Sequence, residues 1–370
     1  MASPGRDRSR RGLRDGRRWL EPLRKRRRYA SGGNRRRTIS VATGCAIRAL
    51  VVACVLSVCP FGSVPLTGQE EAPDVPEGAL FLLLPVGARA ISLGRAMTAM
   101  EGREAVFWNP AGLRAQDGTE IVFYRGDNVA GEGTTVSLVR SQENWLQLGF
   151  SYHLNDVGDQ DLTDERGNHI GRLSTRNHLG IATVAGRLGR LAVGANLKVV
   201  RFQIECRGAS CPDVGSSSSS FAVDLGVSGT PVRSLRLAAM VAHVGGNRRV
   251  GETEERERLP GRLRVAAALD VTGLFDAEDA VTGVLAVELQ ERLADLGNAE
   301  LYVGSEVAVG REDALAIRAG YVIGDQARAG ARVGLGLSYD RVDLSIAKSL
   351  ATSAVRIGTE PVHVTFSVGF

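Results

Sequence analysis

The C-terminal stretch VHVTFSVGF, residues 362–370, decides the fold, because its side chains alternate strictly in character. One face is apolar and the other is small or polar: Val362, Val364, Phe366, Val368 and Phe370 oppose His363, Thr365, Ser367 and Gly369. A period of two residues is the period of a β-strand, whereas a helix repeats near every 3.6 residues. Residues 362–370 therefore predict a strand with one face in an apolar environment.

The same alternation recurs throughout residues 119–370 and predicts about fourteen strands, with long loops at 155–172, 206–217 and 245–260. A tilted strand of about ten residues crosses the core of a bilayer, and single-chain outer-membrane barrels have an even number of strands. The sequence thus predicts an all-β fold, a transmembrane antiparallel β-barrel. The predicted strands are 119–125, 132–140, 144–154, 173–187, 190–205, 218–229, 234–244, 261–273, 279–291, 299–310, 313–324, 328–339, 341–350 and 361–370.

Two other β architectures also alternate, a soluble β-sandwich and a secreted β-helix. A sandwich has shorter strands, and a β-helix has a fixed repeat length that this sequence lacks. The face opposite the apolar one favours a hydrated lumen, because it carries charges of both signs: Lys198, Asp224, Arg236, Arg264, Asp270, Glu288, Glu306 and Arg318. The aromatic content of 5% is low for a barrel with aromatic girdles, which Phe123, Trp145, Phe150, Tyr152, Tyr321, Tyr339 and Phe370 would have to supply.

Residues 1–68 form a basic leader. They hold 16 of the 46 Lys and Arg residues, which leaves 30 basic against 38 acidic residues in 69–370, a net charge of −8. An acidic body disfavours nucleic-acid binding. The apolar stretch 49–68 predicts a signal peptide cleaved after Gly68, and a translation start near Val41 would give that signal a more ordinary length. A transmembrane anchor is the alternative, but Pro60 and Pro65 interrupt the apolar run.

Only two cysteines, Cys206 and Cys211, remain after the predicted cleavage. Their close spacing in an exported chain predicts a small disulfide-closed loop, with a pair of free thiols as the alternative. A zinc site would need further Cys or His ligands, which the neighbouring sequence does not offer.

Residues 69–118 do not alternate, so they are predicted to form a separate N-terminal plug ahead of the barrel at 119–370. Ala88–Met100 is rich in small residues and predicts a short, closely packed helix. Asn109-Pro110 predicts a turn, in which the Asn side chain bonds backbone groups and Gly112 allows a close approach. An apolar segment that is not a strand needs a dry location, and the barrel lumen offers one.

The stretch PVGARAISLGRAMTAMEGREAVFWNPAGL, residues 85–113, resembles the N-terminal signature of the PorV/PorQ family, relatives of the FadL-type fatty acid transporters. The plug helix matches at Gly87, Ala88, Arg89, Ala90 and Gly94, and the plug motif at Asn109, Pro110, Ala111, Gly112 and Leu113. A second fragment, Arg318–Tyr321 with Gly334–Tyr339, resembles the late strands of these families. The sequence departs from the usual pattern at residues 101–104, where it reads EGRE.

The resemblance implies a Gram-negative outer-membrane barrel with an N-terminal plug. A PorV-like protein is a partner of type IX secretion, and its partners would be secretion-system components and cargo proteins. The alternative is FadL-like transport of fatty acids or other hydrophobic small molecules. Outer-membrane lipid would surround the barrel, and Phe366, Val368 and Phe370 resemble the signal that the barrel-assembly machinery recognises.

No enzyme, cofactor or metal site is predicted. The sequence has no HExxH, GxSxG or Walker motif, and its five histidines are scattered. Asp156, Asp159, Asp161 and Asp164 could offer oxygen ligands to calcium, but without the spacing of an EF-hand a solvated acidic loop is the favoured interpretation.

Overall fold

The structure is a computed structural model that describes residues 76–115, 118–128, 130–142, 145–208, 211, 216–246, 248–249, 256–274, 280–310, 313–324, 329–350 and 362–370. The predicted leader 1–68 with its cleavage point, and residues 69–75 of the predicted plug, lie outside the described residues. Within those described ranges, no helix combines the length and apolarity needed to cross a membrane.

Fourteen antiparallel strands close into a barrel, which confirms the predicted fold class. The barrel closes because β1 pairs with both β2 and β14, with Phe123 opposite Phe366 across the seam. The strands are β1 (Thr119–Asn128), β2 (Gly131–Gln142), β3 (Leu146–Thr163), β4 (His169–Leu188), β5 (Leu191–Arg207), β6 (Ser216–Val232), β7 (Leu235–Gly245), β8 (Arg262–Asp270), β9 (Val281–Arg292), β10 (Glu300–Val309), β11 (Ala314–Ile323), β12 (Gly330–Tyr339), β13 (Val342–Ser349) and β14 (Val362–Gly369). A two-residue hairpin, Arg248–Arg249 with Arg256–Glu257, lies between β7 and β8.

The two faces of the barrel wall differ as the alternation predicts. Large apolar side chains are exposed on the outside, and all seven aromatic residues proposed for the girdles are among them. The lumen face holds buried charged residues, including Lys198, Asp224, Arg264 and Glu288. Such a surface is suited to lipid outside and to polar contacts inside.

The two ends of the barrel differ in their connections. At one end, here called the turn end, the connections are mostly short, including 143–145, 189–190, 233–234 and 340–341, and both β1 and β14 reach this end. The other end, here called the loop end, carries the longer connections, among them 246–261 and 350–361.

Strands β3–β6 are taller than the rest of the wall and continue beyond it at the loop end. Pairing of β3 with β2 stops at Asp156, and pairing of β6 with β7 stops at Ala222, whereas β3–β6 go on pairing with one another. We call this part, residues 156–163, 169–176, 201–207 and 216–221, the extension. The predicted loop 155–172 is therefore wrong over much of its length, because polar residues on both faces of the extension hide the strand period. The predicted loop 206–217 is replaced by strand only at its two ends, 206–207 and 216–217.

The N-terminal segment lies inside the barrel as the plug. It contains a 3₁₀ turn at Leu80–Leu83, helix α1 (Ala88–Ser92), helix α2 (Ala105–Trp108) and a 3₁₀ turn at Pro110–Gly112. The predicted helix Ala88–Met100 is too long. It ends at Ser92 because Gly94 and Arg95 adopt positive φ values of 62° and 74°, which an α-helix does not allow.

The plug crosses the lumen from the loop end to the turn end. Its first described residues pair with the connection between β7 and β8, where Gly78 N–H donates to the Arg258 carbonyl over 2.9 Å. Its last residues lead into β1 at the turn end.

Candidate functional site

The contact between plug and wall is the candidate functional site, and it begins with the predicted motif at Asn109. The Asn109 side chain accepts a 3.0 Å hydrogen bond from Ala111 N–H and donates a 2.8 Å hydrogen bond to the Thr98 carbonyl. A Cβ on Gly112 would lie 2.5 Å from the Met100 carbonyl oxygen, so a glycine is required there. The motif thus ties two plug segments together.

Glycines in the wall receive the plug's backbone. Strands β5 and β6 present Gly194 and Gly226 to the Asn109-Pro110 turn, where a Cβ on either glycine would overlap plug atoms. On the opposite wall, Gly304 and Gly320 touch the backbone at Leu93 and Gly94 in the same manner. The two sequence fragments that carry the family resemblance therefore meet in space, since Gly94 belongs to the first and Gly320 to the second.

A charged interface joins the plug to strands β10–β14. Arg89 of α1 donates to Glu306 over 2.8 Å, and Arg318 donates to the same carboxylate over 2.5 Å. Although burial opposes the charge on Arg89, Glu306 raises the pKa of its guanidinium. A solvent-connected cavity of about 430 Å³ lies along this interface.

Arg103 makes the second plug contact on this charged interface. It bonds Asp343 over 2.7 Å and Glu120 over 3.3 Å, and it also bonds Ser367 of the final strand. The plug's arginines are thus matched by carboxylates of the wall, including β1 and the strands beside the seam.

Buried carboxylates satisfy backbone groups that the short plug elements leave open. Glu288 of the wall accepts hydrogen bonds from the N–H groups of Met97 and Thr98, over 2.9 and 2.8 Å. Glu104 of the plug accepts from Ala90 N–H over 3.0 Å and from the Thr365 hydroxyl over 3.1 Å. These contacts offset the cost of burying unpaired amides.

The centre of the plug is held by arginines that stack on aromatic rings. The guanidinium of Arg95 lies 5.8 Å from the ring centre of Trp108 and 5.3 Å from that of Tyr302. Arg264 of the wall lies 5.2 Å from the same Trp108 ring. The Arg95–Tyr302 and Arg264–Trp108 pairs are cation–π contacts that join plug and wall without a carboxylate, and the Arg95–Trp108 pair lies within the plug.

A β-bulge in the wall places a polar cluster beside this centre. His243 of β7 takes a φ of 59°, and its N–H donates to Asp224 over 2.8 Å. Lys198 of β5 bonds the same Asp224 over 2.6 Å and is 1% exposed. The Asp224 carboxylate therefore compensates both the interrupted backbone pairing and the buried ammonium group.

Apolar residues close the lumen at the loop end. Phe81 and Leu82 of the plug pack with wall residues Leu179, Val200 and Ala222. Where this cluster approaches Trp108 and Arg264, the enclosed void is only about 20 Å³. Glu77 fastens the start of the plug to Arg262 over 2.9 Å.

An apolar strip continues from this seal onto the inner face of the extension. By strand alternation, Phe202 and Ile204 of β5 share the inward face of Val200, and Leu173 of β4 shares that of Leu179. All three are half-buried. A hydrophobic path therefore leads from above the barrel to the plug.

The predicted cysteines and aspartates lie in or near the extension, whereas Phe366, Val368 and Phe370 lie at the end of the chain, where β14 pairs with β1. Cys206 and Cys211 form a disulfide at the connection between β5 and β6. Three of the four aspartates belong to strand β3 rather than to a loop: Asp156 pairs with Arg176, while Asp159 and Asp161 pair with Arg172. Within the described ranges, no group of three or more His, Cys, Asp or Glu residues could hold a metal ion.

Sequence reasoning missed most of the plug's charged and aromatic contacts. The local sequence does not indicate which distant residues will contact Arg95, Trp108 and Glu77. The one available signal was the departure from the family pattern at residues 101–104, because Glu101, Arg103 and Glu104 each bond the barrel wall.

Comparison with solved structures shows which known proteins have this fold. The CymD monoaromatic hydrocarbon channel matches with a TM-score of 0.53 and 14% identity, over 78% of this chain and 98% of that one. The Pseudomonas putida toluene transporter TodX matches with a TM-score of 0.52 and 12% identity, over 77% of this chain and 98% of that one. No protein-family model matches the sequence, and neither does any curated protein. At such low identity the likeness concerns the fold, and this chain has the barrel fold of these hydrocarbon channels.

Proposed function

We propose that this protein is an outer-membrane channel for hydrophobic small molecules and that its N-terminal plug closes the channel. The observation that carries the proposal is the apolar strip of Leu173, Phe202 and Ile204, which leads to the plug residues Phe81 and Leu82. Next to the plug, apolar wall residues such as Val139 and Ile181 are buried in the core. Leu173, Phe202 and Ile204 instead lie on the extension and stay only half-buried, so an apolar path there needs an explanation. Capture of an apolar solute at the loop end supplies one.

The fold and the connections support this proposal. Two proteins with this barrel fold are named as channels or transporters of aromatic hydrocarbons. Outer-membrane barrels have short periplasmic turns and longer outer loops, so the turn end faces the periplasm and the extension projects outward. The plug then blocks the direct path, and a solute passes only when plug contacts are released.

Uptake by the purified protein in liposomes tests the proposal. Toluene and a labelled long-chain fatty acid are the probes, and Phe202→Ser with Ile204→Ser is the variant. We expect its uptake to fall at least about tenfold, because each substitution removes roughly 1–2 kcal/mol of apolar contact. The matched control is Gln203→Ser, since Gln203 faces outward on the same strand. Equal uptake by both variants would argue against the path.

A second candidate is a PorV-like role as a partner of type IX secretion and surface attachment. The sequence resemblance of residues 85–113 favours it, and so does the extension, which offers a tall projecting sheet to cargo. In that role, Asn109→Ala changes barrel stability and leaves solute uptake unaffected. A deletion in the loop 247–258, most of which lies outside the described residues, would abolish co-purification with cargo. Solute uptake that depends on Asn109 would exclude this candidate.

A further inference from the structure

Three arginines converge on one carboxylate at the turn-end mouth of the barrel. Glu101 of the plug bonds Arg187 of β4, Arg236 of β7 over 3.0 Å and Arg114 over 3.5 Å. Among these four residues three guanidinium groups face one carboxylate, which leaves a surplus of two positive charges. Asp270, a further carboxylate on this side, accepts the backbone N–H of Thr272.

The arginine cluster faces the interior of the mouth and is open to water. Arg187 pairs across strands with Ala192, and Arg236 pairs with Ala268, two alanines that are 7% exposed on the lumen face. The side chains of Arg114 and Arg187 are 53% and 42% exposed. Because these residues point into the lumen, the headgroups of the surrounding lipid cannot reach them.

A cavity beside the arginine cluster provides room for a ligand. It has a volume of about 470 Å³ and is lined by Arg114, Arg187, Ala185 and Ala192 among others. The cavity along the charged interface, of about 430 Å³, is also lined by Arg114, together with Glu101. Arg114 thus lies between two spaces that solvent can enter, and Arg187 borders one of them.

The positive surface extends beyond the cluster onto the adjacent turns. Arg190, between β4 and β5, and Arg233, between β6 and β7, are both exposed at the same end. Arg190 bonds only a backbone carbonyl, that of Pro231. A single small anion would pair with only part of this surface, whereas a segment with several spaced carboxylates can pair with several of its arginines.

We propose that the turn-end mouth is a docking site for an acidic peptide segment of a periplasmic protein, which binds the arginines that Glu101 now occupies. In this arrangement Glu101 is an internal competitor. Each carboxylate of the incoming segment exchanges one arginine contact of Glu101 for its own. The proposal depends on which end faces the periplasm and is independent of the solute that the barrel carries.

Binding of a fluorescein-labelled peptide of alternating Glu and Ser to the full barrel in nanodiscs tests this site. We expect Arg114→Gln and Arg187→Gln each to weaken binding by about fivefold, the factor typical of losing one partly exposed charge pair. Glu101→Gln should strengthen binding by a similar factor, because it removes the competitor. Arg172→Gln is the matched control, since Arg172 is an equally exposed arginine at the opposite end.

Heat-modifiable migration on gels shows that each variant is folded before its binding is compared. Weaker binding in both arginine variants, with tighter binding in Glu101→Gln and no change in the control, supports the site. Three results would overturn it: binding that ignores Arg114 and Arg187, equal loss in the Arg172 control, or displacement of the peptide by inorganic phosphate at equal charge concentration. The last result would assign the arginines to small anions.

Discussion

The plug meets the barrel wall in two different ways on its two sides. Against β5 and β6 the contact is one of shape, since the Asn109-Pro110 turn touches Gly194 and Gly226 with no space for a side chain. Against β10–β14, in addition to the glycine contacts near Gly94, ion pairs of Arg89 and Arg103 span a cavity of about 430 Å³. A contact of shape tolerates little displacement, whereas ion pairs beside water can exchange partners. The plug is therefore expected to move away from the charged side first.

The largest effect is expected from deleting Ser367–Phe370, because the deletion disturbs the wall on both sides of the plug. The deletion takes away the end of β14 that pairs with β1, and it also removes the Ser367 partner of Arg103. Without closure, both sides of the plug lose their wall, and the exposed strand edges promote aggregation. Heat-modifiable migration on gels should disappear. Ser367→Ala is the control and should migrate normally, and normal migration of the truncated chain would contradict closure through β14.

Gly226→Leu should disturb the shape contact strongly. Its Cβ would overlap the Asn109 side-chain oxygen, which is fully buried and held by the hydrogen bond from Ala111 N–H. Overpacking of this kind costs about 1–3 kcal/mol, so the plug should shift and the conductance of the barrel in planar bilayers should rise. Gly180→Leu is the control, because no atom lies within 4 Å of its Cβ position. A closed, stable Gly226→Leu barrel would show that the turn is not held by shape.

Arg89→Gln should weaken the charged side by about 2 kcal/mol, the usual range for a hydrogen bond to a charged group. The loss should shrink as salt rises, since the pair borders water. Protease cleavage within the plug, measured against urea concentration, reports the change. In a double-mutant cycle, Glu306→Gln should show coupling with Arg89→Gln, and strictly additive effects would mean that the two residues do not interact.

Lowering the pH should release the start of the plug before the rest of it. Burial disfavours the charged form of Glu77, but Arg262 outweighs this and lowers the pKa of the carboxyl. A lowered pKa in the folded protein stabilises it at pH values above the ordinary one, 4.5, and this contribution is lost as the pH falls through the lowered value. The protection factor of the Gly78 amide, which is its intrinsic exchange rate at that pH divided by the measured rate, should therefore fall below about pH 4.5. Glu77→Gln should remove this pH dependence, and an unchanged profile would contradict the contact.

The smallest effect is expected at the disulfide, which touches neither side of the plug. Cys206→Ser should destabilise the extension by about 2 kcal/mol or less, because the closed loop is short. Plug protection against protease should stay as in the unaltered protein. In unreduced protein, Cys206 and Cys211 should resist thiol reagents, and full labelling of both would disprove the bond.

The sequence predicted the barrel well where one face of a strand meets lipid and the other meets the lumen. Val362–Phe370 is readable because its two faces lie in different environments. The outer part of β3 is not, since Asp156, Asp159 and Asp161 lie in water like the residues opposite them, and the period disappears. Hydrophobic residues alternate along a strand only when its two faces lie in different environments. When both faces lie in water, the alternation disappears and the strand cannot be recognised from it.

The same distinction explains what could be predicted of the candidate site. Asn109, Pro110 and Gly112 are recognisable because a turn requires those residue types locally. The partners of Arg89 and Arg103 lie more than two hundred residues away in the chain, at Glu306 and Asp343. Ion pairs of this kind depend on which strands the closed barrel brings together, and a single sequence contains no local trace of that arrangement.

The direction of the plug has a topological consequence for assembly. The chain at Glu77 lies near one mouth, and the same chain leaves the lumen at the other mouth to become β1. The plug segment therefore passes through the lumen of the barrel that the following part of the same chain forms. Inserting that segment after closure would require threading a chain end through a filled lumen, whereas closing β14 onto β1 around a plug already in place requires none. We therefore expect β14 to pair with β1 last, and this pairing to enclose a plug that already lies in the lumen.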